Sequence, residues 1–139
     1  MKKNLLSAAL GLLAFGAQAQ TLKTAQVPAV VKATFMAKYP TVKTNTWEKE
    51  HGNYEAGFTM KGVIISALIN PAGEMVEKET GMAATKLPAA VRALLARDYK
   101  MYKVTEAATI VSAAGVTTYE AELSKSGKST TCSSTPTAF

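Results

Sequence analysis

Val27-Pro28-Ala29-Val30-Val31-Lys32-Ala33 recurs sixty positions later as Leu87-Pro88-Ala89-Ala90-Val91-Arg92-Ala93, and Tyr39 has Tyr99 as its counterpart. Further on, Tyr54-Glu55-Ala56 followed by Lys61-Gly62 returns as Tyr119-Glu120-Ala121 followed by Ser126-Gly127, now sixty-five positions apart. Both copies run in the same order, so the repeat is a structural unit. Val27, Val31, Phe35 and Tyr39 fall at i, i+4, i+8 and i+12, one stripe of a helix, and Leu87, Val91, Leu95 and Tyr99 repeat it. Pro28 and Pro88 suit a first-turn position, where the missing N–H is harmless. Pro40 stops the first helix. Lys32, Lys38, Arg92 and Arg97 lie off the stripes.

After each helix the period changes to alternation. The first copy offers strands over Val42–Glu50, Asn53–Met60, Val63–Ile69 and Glu74–Glu79; the second offers Tyr102–Val111, Val116–Ser124 and Lys128–Ser134. Gly52-Asn53, Lys61-Gly62, Ala114-Gly115 and Ser126-Gly127 are placed as two-residue turns, with glycine supplying positive φ. Asn70-Pro71-Ala72-Gly73 is a longer turn. The fold class expected is α+β: a tandem repeat, about 25–80 and 85–139, of a helix plus an antiparallel meander. Both helices would pack on one face of a continuous seven- to eight-stranded antiparallel sheet.

The turns assign faces. Trp47, Tyr54, Phe58, Ile65 and Ile69 share the face that seats the helices, and Ile110, Tyr119, Ala121, Leu123 and Cys132 make the equivalent set. A one-residue slip would invert either set. The opposite face collects Glu48, Glu50, Glu55, Glu120 and Glu122, with Glu77 and Glu79 joining them. Many lysines and arginines lie on the helices, so the molecule is dipolar. Glu50 and Glu55 are expected to oppose each other directly, which costs stability unless a cation or partner offsets it.

Lys2 and Lys3, the apolar run Leu5 to Phe15 and Ala17-Gln18-Ala19 read as a signal peptide over 1–19, cleaved after Ala19. The run is shorter than the roughly 20 residues a spanning helix needs. The 20–139 remainder fits one domain built of the two repeats. Loss of Lys2 and Lys3 takes the formal charge from +6 to +4. That mild excess, without clustered basic and aromatic residues, argues against a nucleic-acid partner. Cys132 is the single cysteine, so no internal disulfide is available; it reads as a small buried hydrophobe.

These residues resemble a known family. A signal peptide, a helix ending in Tyr39-Pro40, then Trp47-Glu48 and Tyr54-Glu55-Ala56-Gly57-Phe58 are similar to the PepSY-like proteins, whose domain is related to the beta-lactamase-inhibitor-protein fold. Leu87-Pro88-Ala89-Ala90-Val91 and Tyr119-Glu120-Ala121-Glu122-Leu123 fit the second half of that pattern. The resemblance implies an exported protein of a bacterial envelope, periplasmic or secreted, with inhibition of peptidases or beta-lactamases proposed for relatives. The second copy departs from the pattern: it has no counterpart of Trp47, its Lys128–Ser134 strand is rich in Ser and Thr, and a fourth strand is missing or vestigial.

Catalytic chemistry is not indicated. His51 is the sole histidine and sits at a turn; Asp98 is the sole aspartate and lies on the second helix. Zinc sites want several His or Cys ligands, and no phosphate-cradling glycine loop is present. The paired carboxylates Glu48/Glu50 and Glu120/Glu122 would need a pocket to separate their pKa values, and a flat, solvated face offers none. No cofactor, metal or catalytic residue is expected. The expected function is a non-enzymatic exported module, a protein-binding or hydrolase/peptidase-inhibitor-like protein, that contacts an envelope or extracellular partner through Glu48, Glu50, Glu55, Glu120 and Glu122 on the open sheet face. The alternative is a periplasmic cation or small-ligand sensor or carrier using the same carboxylates.

Overall fold

Pro28 and Pro88 each cap a ten-residue helix, α1 over Ala29–Lys38 and α2 over Ala89–Asp98, and their carbonyls accept from the Lys32 and Arg92 amides. The computed structural model describes residues 20–135, so the signal peptide expected over 1–19 lies outside the described residues. Eight strands form one antiparallel sheet in sequence order: β1 Gln20–Leu22, β2 Thr46–Glu50, β3 Asn53–Met60, β4 Val63–Ile69, β5 Met75–Met82, β6 Lys103–Ser112, β7 Thr117–Lys125 and β8 Lys128–Ser134. Both helices lie on the same side. The expected α+β architecture is the observed one.

A short 3-10 turn precedes each helix, at Thr24–Gln26 and Ala84–Lys86. The order strand, 3-10 turn, helix, three strands therefore runs twice, with β1 and β5 as the leading strands. This explains the fourth strand that the second copy was expected to lack: β5, grouped with the first copy in the sequence reading, leads the second. The eighth strand is β1, which pairs with β2 through Leu22 opposite Trp47. It is three residues long, too short for its alternation to register in the sequence.

Two hairpins correct the expected register. The first turn is His51-Gly52, both at positive φ (46° and 83°), rather than Gly52-Asn53. Trp47 therefore faces Ala56, not Phe58, and Glu55 faces Glu48, not Glu50. The shift is two residues, so the faces survive. The β6–β7 connection is a wider loop closed by Ser112 N–H to Val116 O, not a two-residue Ala114-Gly115 turn. There the pairing slips by one: Thr109 lies opposite Tyr119 and Ile110 opposite Thr118, which moves Ile110 to the open face.

The helix side holds two cores. In the first, Val31, Phe35, Trp47, Phe58 and Ile69 are buried, and Phe35 packs edge-on to Trp47 and Phe58 at 5.4 and 5.3 Å between ring centroids. The second uses Val91, Leu95, Ala107, Leu123 and Cys132, with Ala107 where the first has Trp47. Helix α1 is also tied to the β4–β5 turn, where Thr34 Oγ1 donates to Gly73 O at 2.7 Å. A Cβ at Gly73 would meet Val30 Cγ2 at 2.6 Å, so only glycine lets the turn approach the helix.

Phe35→Ala should cost about 3–5 kcal/mol, and Leu95→Ala about 2–5 kcal/mol, because the aromatic site cannot collapse around its cavity. Urea midpoints at an unchanged m-value measure both losses; a smaller loss at Phe35 than at Leu95 would show that the ring cluster does not anchor α1.

Candidate functional site

Alternation carries eight of the nine glutamates to the face away from the helices: Glu48 and Glu50 on β2, Glu55 on β3, Glu77 and Glu79 on β5, Glu106 on β6, Glu120 and Glu122 on β7. The exception is Glu74 in a turn. Among the described strands, Lys103 is the one lysine whose register puts it on this side, opposite Ser124. Lys49 and Lys78 point to the helix side, opposite Tyr54 and Ala67. Each of the five glutamates expected on the open face is there.

Two pairs of like charges stand directly opposite across the ladder, Glu48 with Glu55 and Glu106 with Glu122. Such pairs are destabilising in a sheet. At 4 Å two full charges repel by about 1 kcal/mol in water and about 4 kcal/mol at a typical protein dielectric, so partial protonation is the cheaper arrangement wherever the site dries.

The face does dry, contrary to the solvated surface expected. Its middle is apolar or small: Leu68 stands opposite Glu77, Ile110 beside Glu79, Ala108 opposite Glu120. Glu120 is 8 % exposed, with Ser133 Oγ donating to its Oε2 at 3.1 Å. Burial nevertheless pushes the Glu120 carboxyl up, and the Ser133 hydrogen bond opposes it only in part. Glu50 is raised by burial, then by the charge of Glu55 and a hydrogen bond to it; His51, 3.6 Å away through Nδ1, works in the other direction. Burial also raises Glu77, helped by Glu120 and Glu55, and Glu106, helped by Glu122. Ser66 Oγ donates to Glu55 Oε1.

Glu79 lies at the centre, between Ser66 on β4 and Ile110 on β6. Its Oε1 is buried with no hydrogen-bond partner. Burial first, then the charges of Glu120, Glu55, Glu77 and Glu50, push its pKa up to about 8. A neutral carboxylic acid is the form such a position tolerates. The sequence reading placed Glu79 on this face but missed its isolation. That isolation comes from the neighbouring strands, where Ser66, Leu68, Ala108 and Ile110 offer no cation.

Cys132 is buried beside Tyr99 and burial raises its thiol, the environment of a packing residue. His51 is exposed at its turn. Among the described residues no group of three or more His, Cys, Asp or Glu is placed to hold a metal ion, and no helix is long and apolar enough to cross a membrane.

No family model matches the chain, and no curated protein does. Solved structures do. A candidate periplasmic protein of Bacteroides eggerthii is similar at a TM-score of 0.71 and 22% identity, over 79% of this chain and 82% of that one. A DUF2874 family protein of Bacteroides uniformis has a TM-score of 0.71 and 22% identity, covering 81% and 84%. A BLIP-like protein of Bacteroides fragilis is more distant, at 0.57 and 15% over 81% and 88%. At these identities the likeness is one of fold.

The raised carboxyls fix the sign of a pH effect. A glutamate titrating higher in the folded than in the unfolded chain binds an extra proton on folding, so its contribution to stability is present at low pH and is lost as pH rises through the folded value. For Glu79 that window runs from the ordinary carboxylate range to about 8. Thermal melts should thus show stability falling between about pH 5 and pH 8, and Glu79→Gln should flatten that slope and raise the melting temperature at pH 8. A variant melting with the parent's slope would remove Glu79 as its source.

Proposed function

We propose that this protein is an exported, PepSY-like binding module, non-enzymatic, that grips a positively charged surface of an envelope or extracellular protein with the open face of its sheet. In this reading residues 1–19 are a signal peptide and 20–139 a single domain of two repeats, acting in the periplasm or outside the cell. The contact residues are Glu48, Glu50, Glu55, Glu120 and Glu122, extended by Glu77 and Glu79 toward the centre of the face and by exposed Glu106 beside Glu122.

One observation carries the proposal: the glutamates are gathered on one face while nearly all strand lysines point the other way. A face built only for solubility gains from mixed charges, and like charges stacked across a ladder lower stability. A cationic partner would convert that repulsion into attraction and draw protons off the raised carboxyls. The candidate periplasmic and BLIP-like neighbours support the compartment and the use of a protein partner.

The test compares mature protein with the quadruple variant Glu48→Gln, Glu50→Gln, Glu120→Gln and Glu122→Gln, each immobilised and exposed to the native envelope fraction. A partner held by the parent, released as ionic strength approaches 1 M (where the screening length shrinks to about 3 Å), and lost with the variant is the expected result. Equal recovery on both columns would move the contact surface off the acidic face.

A further inference from the structure

The two copies of the repeat differ in how the strand after the helix begins to pair. Residues 39–47 correspond one for one to residues 99–107, and both leave their helices by the same turn: Val42 N–H donates to Tyr39 O at 3.1 Å, and Tyr102 N–H to Tyr99 O at 2.9 Å. In the second copy pairing starts at once, with Lys103 opposite Ser124 and Val104 opposite Leu123. In the first, β2 meets β3 only at Thr46, opposite Gly57. Phe58, Thr59 and Met60 therefore have β4 on one side and no strand on the other.

The ladder says which groups are left open. Met60 and Val63 close the two-residue Lys61-Gly62 turn, and Phe58 pairs with Ile65, so these residues direct N–H and C=O at β4. Thr59, between them, directs both at the vacant side. Its counterpart Ser124 is met there by Lys103.

Side chains explain the difference. Val104 packs against the second core, Tyr102 lies edge-on to Tyr99 at 5.5 Å, and Lys125 Nζ is 5.5 Å from the Tyr102 ring centroid. These contacts hold the strand down. The first copy has exposed Thr44 in place of Val104, and Val42 and Met60 in place of the Tyr102–Lys125 pair. Thr46 Oγ1 donates to Gly57 O at 3.3 Å, ending the ladder there. What results is a groove of about 760 Å³ between residues 41–46 and 57–61, in which Lys43 and Lys61, both exposed, are the only charged side chains.

We propose that this groove takes an extended, carboxylate-bearing peptide segment of a partner protein, which adds to β3 as the strand residues 43–45 do not supply. Thr59 provides the main-chain donor and acceptor, Phe58 and Met60 line the groove beside it, and Lys43 and Lys61 select acidic side chains. The site has the opposite charge preference from the open face and stands whether or not that face binds anything.

The probe is a capped peptide alternating valine and glutamate, followed by amide NMR. Saturable shifts centred on Thr59, with Kd near about 1 mM or below, are expected. Lys43→Glu with Lys61→Glu should weaken binding at least about fivefold, the range expected for losing charge-assisted contacts. A second variant, Lys43→Cys with Thr59→Cys in a Cys132→Ser background, is designed to close the groove: the second copy pairs the corresponding residues, Lys103 and Ser124, so a disulfide here, confirmed by mass, would draw residues 43–45 onto β3 in that register. Oxidation should abolish the shift at position 59, now a cysteine amide, and reduction restore it. Unmoved Thr59 resonances at high peptide concentration, an unchanged Kd in the double-glutamate protein, or an undiminished shift at position 59 once the disulfide has formed would overturn the proposal.

Discussion

Sheet parity is the constraint on which everything else rests, and three two-residue turns enforce it. His51-Gly52, Lys61-Gly62 and Ser126-Gly127 each place both residues at positive φ, from 46° to 83°. That geometry matches the right-handed twist of the flanking strands and fixes their register. Because a strand has a period of two, fixing one pair fixes the face of every other residue on both strands. Trp47, Phe58 and Ile65 are thus committed to the helices by the same turns that commit Glu48 and Glu55 to the far side. Apolar burial under α1 and α2 supplies the energy that tolerates the repulsion opposite.

The duplication shows what that parity leaves free. Tyr54, Glu55 and Ala56 correspond to Tyr119, Glu120 and Ala121, and each trio alternates in, out, in. Around this shared frame the copies have diverged in packing. The first fills its core with Phe35, Trp47 and Phe58; the second holds Val91, Ala107 and Leu123 and has less to bury. Yet the second copy has the better-zipped strand, because Val104 and Tyr102 give residues 102–105 an apolar reason to lie down. Thr44 gives residues 43–45 none. Strand pairing here follows side-chain burial more closely than intrinsic strand preference, which is similar for Thr44 and Val104.

Much of this was legible because the chain repeats itself. Helical stripes with a proline at the start read directly, as did the β3 and β4 boundaries and the Lys61-Gly62 and Ser126-Gly127 turns. Local signals mislead where a better one stands beside them. Gly52-Asn53 reads as a turn, yet His51-Gly52 matches the other hairpins, where glycine comes second. Ala114-Gly115 reads as a two-residue turn, yet the connection is longer, and the one-residue slip puts Ile110 on the open face instead of under the helices. The acidic face was visible from alternation alone. Its desolvation was not, since that depends on Leu68, Ala108 and Ile110 arriving beside Glu79 and Glu120 from other strands, a property of register across four strands.

The desolvation changes what an acidic face means. Fully hydrated glutamates repel weakly and bind cations weakly, because water screens both effects equally. Here the central carboxyls sit among apolar neighbours, and Glu79 keeps a buried oxygen that nothing satisfies. In the free protein this is a cost, lowered by holding a proton. An ammonium or guanidinium group brought against the face would meet an environment of reduced dielectric, in which each charge-assisted hydrogen bond is stronger than at an open surface. Release of those protons would then accompany binding, so affinity and pH are linked through the same residues. If the face receives the proposed cationic partner, the isolation that weakens the free fold at neutral pH would also distinguish that partner from ordinary salt.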